Sequence, residues 1–328
     1  TAQMSDNMLR DIDGIVMLAA GTSHYATQIA RYWIESLARV PVACEVASEY
    51  HYRQPVTSPY NTSIAVSQSG ESLDTLMAMR HAAKCKMTTI GLVNVPNSTI
   101  AREADTVLPT RAGPEIGVAS TKAFTAQLTV LLCLAVSIAR AKGQIDDNRA
   151  TAIHTEIQTL PGLVGKVLHL FNEIRPIAHQ LSNAKSALYL GRGMLYPLAL
   201  EGALKLKELS YIHAEGFASG EMKHGPIALI EDDLPIVALL SADGLMAKAS
   251  NNLREASARG GKIILIADAD TLAEADYANT VIEVPSVDPL LAPILFAVPA
   301  QILAYLTAVE KGTDVDQPRN LAKSVTVE

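Results

Sequence analysis

Ile15-Val-Met-Leu-Ala-Ala20 is an unbroken apolar run, stopped by Gly21. A strand with one wet face alternates apolar and polar residues. A strand covered on both faces reads as a continuous apolar run, the mark of a parallel sheet between helices. The residues that follow extend this pattern: a helical period over 25–37, strands at 42–46 and 63–66, a helix over 72–83, strands at 88–93 and near 106–108, and a long helix over about 121–142. Strands alternating with helices imply right-handed crossovers and a doubly wound layer. The order then restarts. Ala187-Leu-Tyr-Leu-Gly191 has the character of the first run and leads into a helix over 197–209, followed by strand 235–240, helix 245–259, strands 262–267 and 280–284, and helix 290–311. The repeat, at an offset of roughly 170 residues, is one of pattern rather than identity. The sequence thus predicts an α/β protein of two tandem, duplicated, doubly wound parallel-sheet domains, each a three-layer α/β/α stack. The expected divisions are a first domain at 1–145, a helical connector at 146–183, a second domain at 184–311 and a polar tail at 312–328.

Bulk properties agree with this frame. The chain has 328 residues, enough for about two domains. Hydrophobic residues make up 49% and charged residues 19%, so a large core is available, and the net charge of −7 argues against a nucleic-acid partner. The three cysteines, Cys44, Cys85 and Cys133, form no C-x-x-C pair and fit a reducing cytosol. The apolar stretches 128–138 and 290–308 are interrupted by Ser137 and by Pro293 and Pro299. They read as buried core helices, so no membrane span is expected. The start at Thr1 shows no apolar signal segment and no initiator Met, which suggests a cytoplasmic location and a fragment or processed product. No ligand-spaced His/Cys cluster and no complete dinucleotide fingerprint is visible, so no metal or organic cofactor is expected.

Four places carry chemistry. Ser67-Gln-Ser-Gly-Glu-Ser72 lies directly after a buried strand and directly before a helix. Hydroxyls, a carboxamide and free backbone N–H groups at a helix start suit an anion, most simply phosphate; the plainer alternative is a helix cap from Ser69 or Ser72. The matching loop of the second half, Leu240-Ser-Ala-Asp-Gly244, lacks the cluster. Gly21-Thr-Ser23 and Ser120-Thr-Lys122 sit where ligand crevices form in such sheets. Glu201, Lys205 and Glu208, spaced i, i+4 and i+7, share one helix face. They make either a solvated stripe or, with His224 nearby in sequence, an acid/base set. Moving a proton between adjacent carbons of a sugar needs a base, which a glutamate suits. Opening a sugar ring needs an acid/base group, which a histidine suits. The polar tail carries Lys323, an amine able to form a Schiff base with an open-chain ketone.

At these places the chain resembles the isomerase half of the glucosamine-6-phosphate synthase family. The matching phrases are G-T-S at 21–23, S-Q-S-G-E at 67–71, E-I-G-V-A-S-T-K-A-F-T at 115–125, A-L-E-G-A-L-K-L-K-E at 199–208, S-Y-I-H-A-E at 210–215, G-E-M-K-H-G-P at 220–226 and D-V-D-Q-P-R-N-L-A-K-S-V-T-V-E at the end. The resemblance implies two flavodoxin-like, sugar-isomerase (SIS) domains and fructose 6-phosphate as substrate, converted with ammonia to glucosamine 6-phosphate. It implies that Ser67, Gln68, Ser69 and Ser72 hold the phosphate, and that Thr22, Ser23, Val118, Ser120 and the backbone of Ala322 contact the sugar. It makes Glu208 the base between C1 and C2 and assigns ring opening to His224, delivered by the other subunit of a homodimer. Lys323 acts at the ring-opening or imine step, and Lys205 and Glu201 support the row.

Ala20 stands where the family often has Cys, and Ser72 where it often has Thr; both keep size, and Ser72 keeps the hydroxyl. The family's glutaminase domain, with its amino-terminal cysteine, is not in this sequence. The isolated chain is therefore expected to isomerise fructose 6-phosphate toward glucose 6-phosphate and to use free ammonia poorly. Two alternatives stand beside this reading. A free-standing glucosamine-6-phosphate deaminase would not need the synthase-like tail. A non-catalytic sugar-phosphate sensor would not need Glu208, His224 and Lys323, all of which are present.

Overall fold

The computed structural model describes residues 4–324; the closing V-T-V-E of the tail motif, 325–328, lies outside the described residues. The chain divides into two compact units. The first holds the described parts of Thr1–Ile116, Ser120–Ile157 and Ala322–Glu328, and the second holds Gly117–Ala119 and Gln158–Leu321.

In the first unit the elements run α1 (Asp6–Arg10), β1 (Ile15–Ala19), α2 (Gly21–Trp33), β2 (Val42–Val46), α3 (Ala47–Tyr50), β3 (Thr62–Ser67), α4 (Leu73–Lys84), β4 (Thr88–Val93), α5 (Thr99–Glu103), β5 (Thr106–Pro109) and α6 (Lys122–Ala141). The sheet is parallel in the order β2-β1-β3-β4-β5. All five residues of β1 and all six of β3 are buried, as a strand covered on both faces requires. The helix expected from residue 25 begins four residues earlier. Gly21, at φ 53°, turns the chain straight from the strand end into α2 and so puts Thr22 and Ser23 in its first turn.

Helices α7 (Asp147–Leu168) and α8 (Phe171–Ser182) follow. The second unit then runs β6 (Ser186–Gly191), α9 (Leu195–Ser210), β7 (His213–Ala218), β8 (Pro235–Leu240), α10 (Met246–Ser257), β9 (Lys262–Asp268), β10 (Thr280–Val284) and α11 (Ala292–Lys311). Its parallel sheet has the order β10-β9-β8-β6-β7. Counted from the first strand of each half, both sheets follow 2-1-3-4-5, the flavodoxin-like order. The duplication read from the sequence is therefore a duplication of topology. Strand β7 was not expected: Glu215 and Gly216 interrupt its apolar character. Gly216 is there for packing, since a Cβ would come within 2.8 Å of the Leu200 backbone.

By length and composition α6 and α11 are apolar enough to cross a membrane, but most of each lies within the core. On α6 the buried face runs through Ala123, Phe124, Gln127, Leu128 and Leu131. Helix α11 tolerates Pro293 because it lies in the first turn, where no intrahelical N–H bond is lost.

Candidate functional site

The serine loop joins β3 to α4. Ser67, buried at the strand end, places its hydroxyl 3.0 Å from that of Ser72 and accepts the Gly70 N–H at 3.0 Å. Ser69 accepts the Glu71 N–H at 3.1 Å. Ser72 is the N-cap residue of α4, yet its side chain makes no cap bond. The plain-cap alternative therefore fails: the hydroxyls close the loop on itself, and no serine hydroxyl serves as the helix's cap. Gly70 sits at φ 67°, and a Cβ there would lie 2.0 Å from the Ser98 hydroxyl. Glu71 holds the loop from behind, its carboxylate accepting the Thr99 N–H of α5 at 2.8 Å. A tight turn with a cluster of hydroxyls at an uncapped helix start can take an anion.

In the second unit the equivalent loop, between β8 and α10, is filled differently. Asp243 turns its own carboxylate onto the Leu245 N–H at 2.7 Å. Burial, and then the nearby Asp268 carboxylate, push the Asp243 pKa up against its backbone hydrogen bonds. This loop satisfies its own donor with a built-in carboxyl group, where the first half has its serine cluster.

Ser23, in the first turn of α2, accepts a hydrogen bond from Gln127 Nε2 at 2.9 Å. Sequence reasoning missed Gln127. Its signal was a carboxamide on the apolar stripe of α6, where it is 1% exposed. Ser120 precedes α6 and is half-buried. The tail residues Ala322 and Lys323 belong to the same unit, and the Lys323 ammonium donates to Glu115 Oε2 at 2.6 Å. Burial pushes the Glu115 pKa up. The Lys323 ammonium and the Thr121 and Ala123 N–H groups outweigh it, so the carboxyl is held below the usual range.

The α9 row belongs to the second unit. Its solvated-stripe reading is overturned for two of its three members: Glu201 is 2% and Lys205 1% exposed. The Lys205 ammonium lies 2.6 Å from Glu208 Oε2 and 3.5 Å from Glu201 Oε1. Burial alone would drive Lys205 toward its neutral form, but the two carboxylates outweigh it and raise its pKa above the ordinary value. Glu208 keeps 21% of its side chain open. It is a carboxylate fixed by a buried cation yet reachable, the arrangement a proton shuttle needs.

The tail leaving α11 is tied down in this unit. The Thr313 hydroxyl donates to the Leu209 carbonyl at 2.6 Å, and Asp314 accepts from the N–H groups of Asp316 and Gln317. The Val118 N–H donates to the Asp316 carbonyl at 2.9 Å. The Arg319 guanidinium stacks 4.1 Å over Tyr211. A polar, aperiodic tail is often disordered; the described part of this one, 312–324, follows a defined path. His224 ends a 3-10 turn (Ser219–His224), is exposed, and shares no hydrogen bond or ion pair with the α9 row among the described residues. No group of three or more His, Cys, Asp or Glu side chains placed to hold a metal occurs among the described residues.

The SIS domain family matches residues 8–137 and 180–311, one match for each sheet. The chain belongs to the SIS family. The SIS fold explains why two sheets of one order stand in one chain. The chain is 54% identical to glutamine–fructose-6-phosphate aminotransferase (isomerizing) from Zymomonas mobilis over 98% of its own length and 53% of that protein's. It is 50% identical to the Brucella abortus protein of the same name, over 97% and 52%. It thus spans about half the length of the curated relatives it matches. Among solved SIS structures, the C-terminal domain of glucosamine-fructose-6-phosphate aminotransferase from Francisella tularensis superposes with a TM-score of 0.93 at 43% identity, covering 95% of this chain and 89% of that one. A glucosamine-6-phosphate deaminase from Thermotoga maritima shares the SIS fold at 22% identity and a TM-score of 0.74.

Proposed function

We propose that this chain is the isomerase half of a glutamine–fructose-6-phosphate aminotransferase. It binds fructose 6-phosphate, opens the ring, and with ammonia forms glucosamine 6-phosphate by ketose–aldose isomerisation. The observation that carries the reading is Glu208: a carboxylate pinned at 2.6 Å by a buried lysine and still partly open. Glu208 takes the proton from C1 and returns it at C2, or the reverse, and Lys205 fixes its orientation. Ser67, Gln68, Ser69 and Ser72 hold the phosphate. Thr22, Ser23, Val118, Ser120 and Ala322 bind the sugar, and Glu201 braces Lys205. His224 opens the ring from the second subunit of a homodimer; its exposure in the single chain supports that assignment. Lys323 acts on the open-chain ketone.

In the full-length protein a glutaminase domain supplies the ammonia, in the cytoplasm. Without it this chain performs the isomerase reaction, giving glucose 6-phosphate. The working divisions are domains at 1–145 and 184–311, joined by a connector at 146–183 and closed by a tail at 312–328.

The test is a coupled assay with fructose 6-phosphate alone and then with ammonium, reading glucose 6-phosphate and glucosamine 6-phosphate. Turnover to glucose 6-phosphate is expected in the wild type and loss of turnover in Glu208→Gln, with binding of the sugar phosphate retained. A Glu208→Gln chain of near-normal rate would remove Glu208 as the base.

A further inference from the structure

Glu115 holds a position that the assignments above leave without a role. Its side chain is 5% exposed. One oxygen, Oε1, accepts the N–H groups of Thr121 and Ala123 at 2.9 and 3.2 Å; the other, Oε2, accepts the Lys323 ammonium at 2.6 Å. The N-cap residue Thr121 makes no side-chain cap bond. Glu115, six residues upstream, is therefore the group that caps α6.

An ammonium beside a helix N-terminus meets the positive end of the helix dipole and is disfavoured there. A carboxylate interposed between them reverses that sign. Lysine is also a long, flexible side chain with about 2 kcal/mol of rotamer entropy, and here it extends from an exposed stretch of tail, Leu321-Ala322. An immobile, nearly buried carboxylate, itself held by two backbone N–H groups, converts that wandering amine into one at a defined place.

We propose that Glu115 is the positioning residue for Lys323, capping α6 with one oxygen and holding the lysine with the other so that the amine is in place for its chemistry on the sugar. The inference rests on the reading that Lys323 acts on the open-chain substrate. Glu115 does not itself touch the reacting atoms.

Glu115→Gln separates the two tasks. The amide oxygen still accepts from Thr121 and Ala123, but the amide NH2 cannot accept from Lys323. Two readouts apply to the full chain. The first is the rate at which an amine-acylating reagent modifies Lys323, followed by peptide mass mapping, with exposed Lys122 as the internal control. The second is the kcat and KM for fructose 6-phosphate isomerisation. In Glu115→Gln, Lys323 is expected to be modified faster with Lys122 unchanged, while kcat falls roughly 10–100-fold and KM moves by less than about threefold, the pattern of a displaced catalytic group rather than a weakened site.

Unchanged modification of Lys323, or a kcat within about twofold of wild type, overturns the positioning role. Lys323→Ala separates this failure from failure of the underlying reading. An inactive Lys323→Ala beside a fully active Glu115→Gln removes Glu115 alone. An active Lys323→Ala removes the role of the lysine, and the positioning proposal with it.

Discussion

Replacing Lys205 by Met should cost this chain more stability than most single substitutions. Lys205 is 1% exposed and lies between a Glu201 that is 2% exposed and a Glu208 that keeps 21% of its side chain open. Methionine fills a similar volume, so the loss is one of charge. Glu208 can turn toward water, whereas Glu201 cannot and is left as a buried carboxylate without its cation. Removing one partner of a buried pair costs about 3–5 kcal/mol, and at about 2–4 °C per kcal/mol for a domain of this class the melting temperature should fall by roughly 6–20 °C. The double variant Glu201→Gln/Lys205→Met removes the stranded charge and should recover much of the loss. Calorimetric and denaturant unfolding of the three chains measure both numbers. The sign of the pH dependence is also fixed. The lysine's pKa is higher in the folded state than in the unfolded one. Its stabilisation is therefore complete below the unfolded value of about 10.4 and is lost as pH rises through the folded one. The gap between wild type and Lys205→Met should stay level from neutral pH to about 10 and close above it. A loss below about 1 kcal/mol for Lys205→Met, or a double variant no more stable than the single, would refute the buried-charge argument.

Removing Ser67 and Ser69 together as alanines should weaken fructose 6-phosphate binding. One lost charge-assisted hydrogen bond, about 1.5–3 kcal/mol, raises the calorimetric Kd roughly 10- to 100-fold; an unchanged Kd would move the phosphate to another loop. Gly70→Ala should destabilise by at least about 1–2 kcal/mol for the left-handed backbone alone, because the added Cβ also collides with Ser98. A chemical-denaturation midpoint equal to wild type would mean that the loop relaxes freely.

The parallel sheets were legible because a strand buried on both faces leaves a simple trace: Ile15–Ala19 and Pro235–Leu240 are almost wholly apolar. Strand β7 was not, because its place at the sheet edge tolerates Glu215 and its packing against α9 demands Gly216. The serine loop was legible as a cluster at a strand-to-helix junction, a purely local feature. The α9 row was legible as a spacing but not as an environment. Spacing of i, i+4 and i+7 is the same on a wet face and a dry one, and only tertiary packing decides which. The partners of Gln127 and Glu115 were illegible for a related reason. Each acts on a residue 104 or 208 positions away, and a single sequence carries no trace of such a pairing.

The duplication itself explains how the chemistry is distributed. In each half the helix after the first strand carries candidate groups: Thr22 and Ser23 on α2, and Glu201, Lys205 and Glu208 on α9. In each half the loop after the third strand leads into a helix whose N-cap residue makes no side-chain cap bond, but only one of the two loops gathers a cluster of hydroxyls there, the serine loop before α4. The other closes on Asp243. A duplicated fold presents two equivalent loops, and on the function proposed above a substrate with one phosphate needs only one of them. The Asp243 carboxylate, turned into the second loop, disfavours an added anion there. On α9 the buried Lys205 is affordable only because two carboxylates share the helix face, and that same requirement leaves Glu208 fixed and partly open. On this argument the stability of the row and its chemistry have one cause. Any substitution that relieves the buried charge at Lys205 should also loosen Glu208, lowering kcat even where the fold survives.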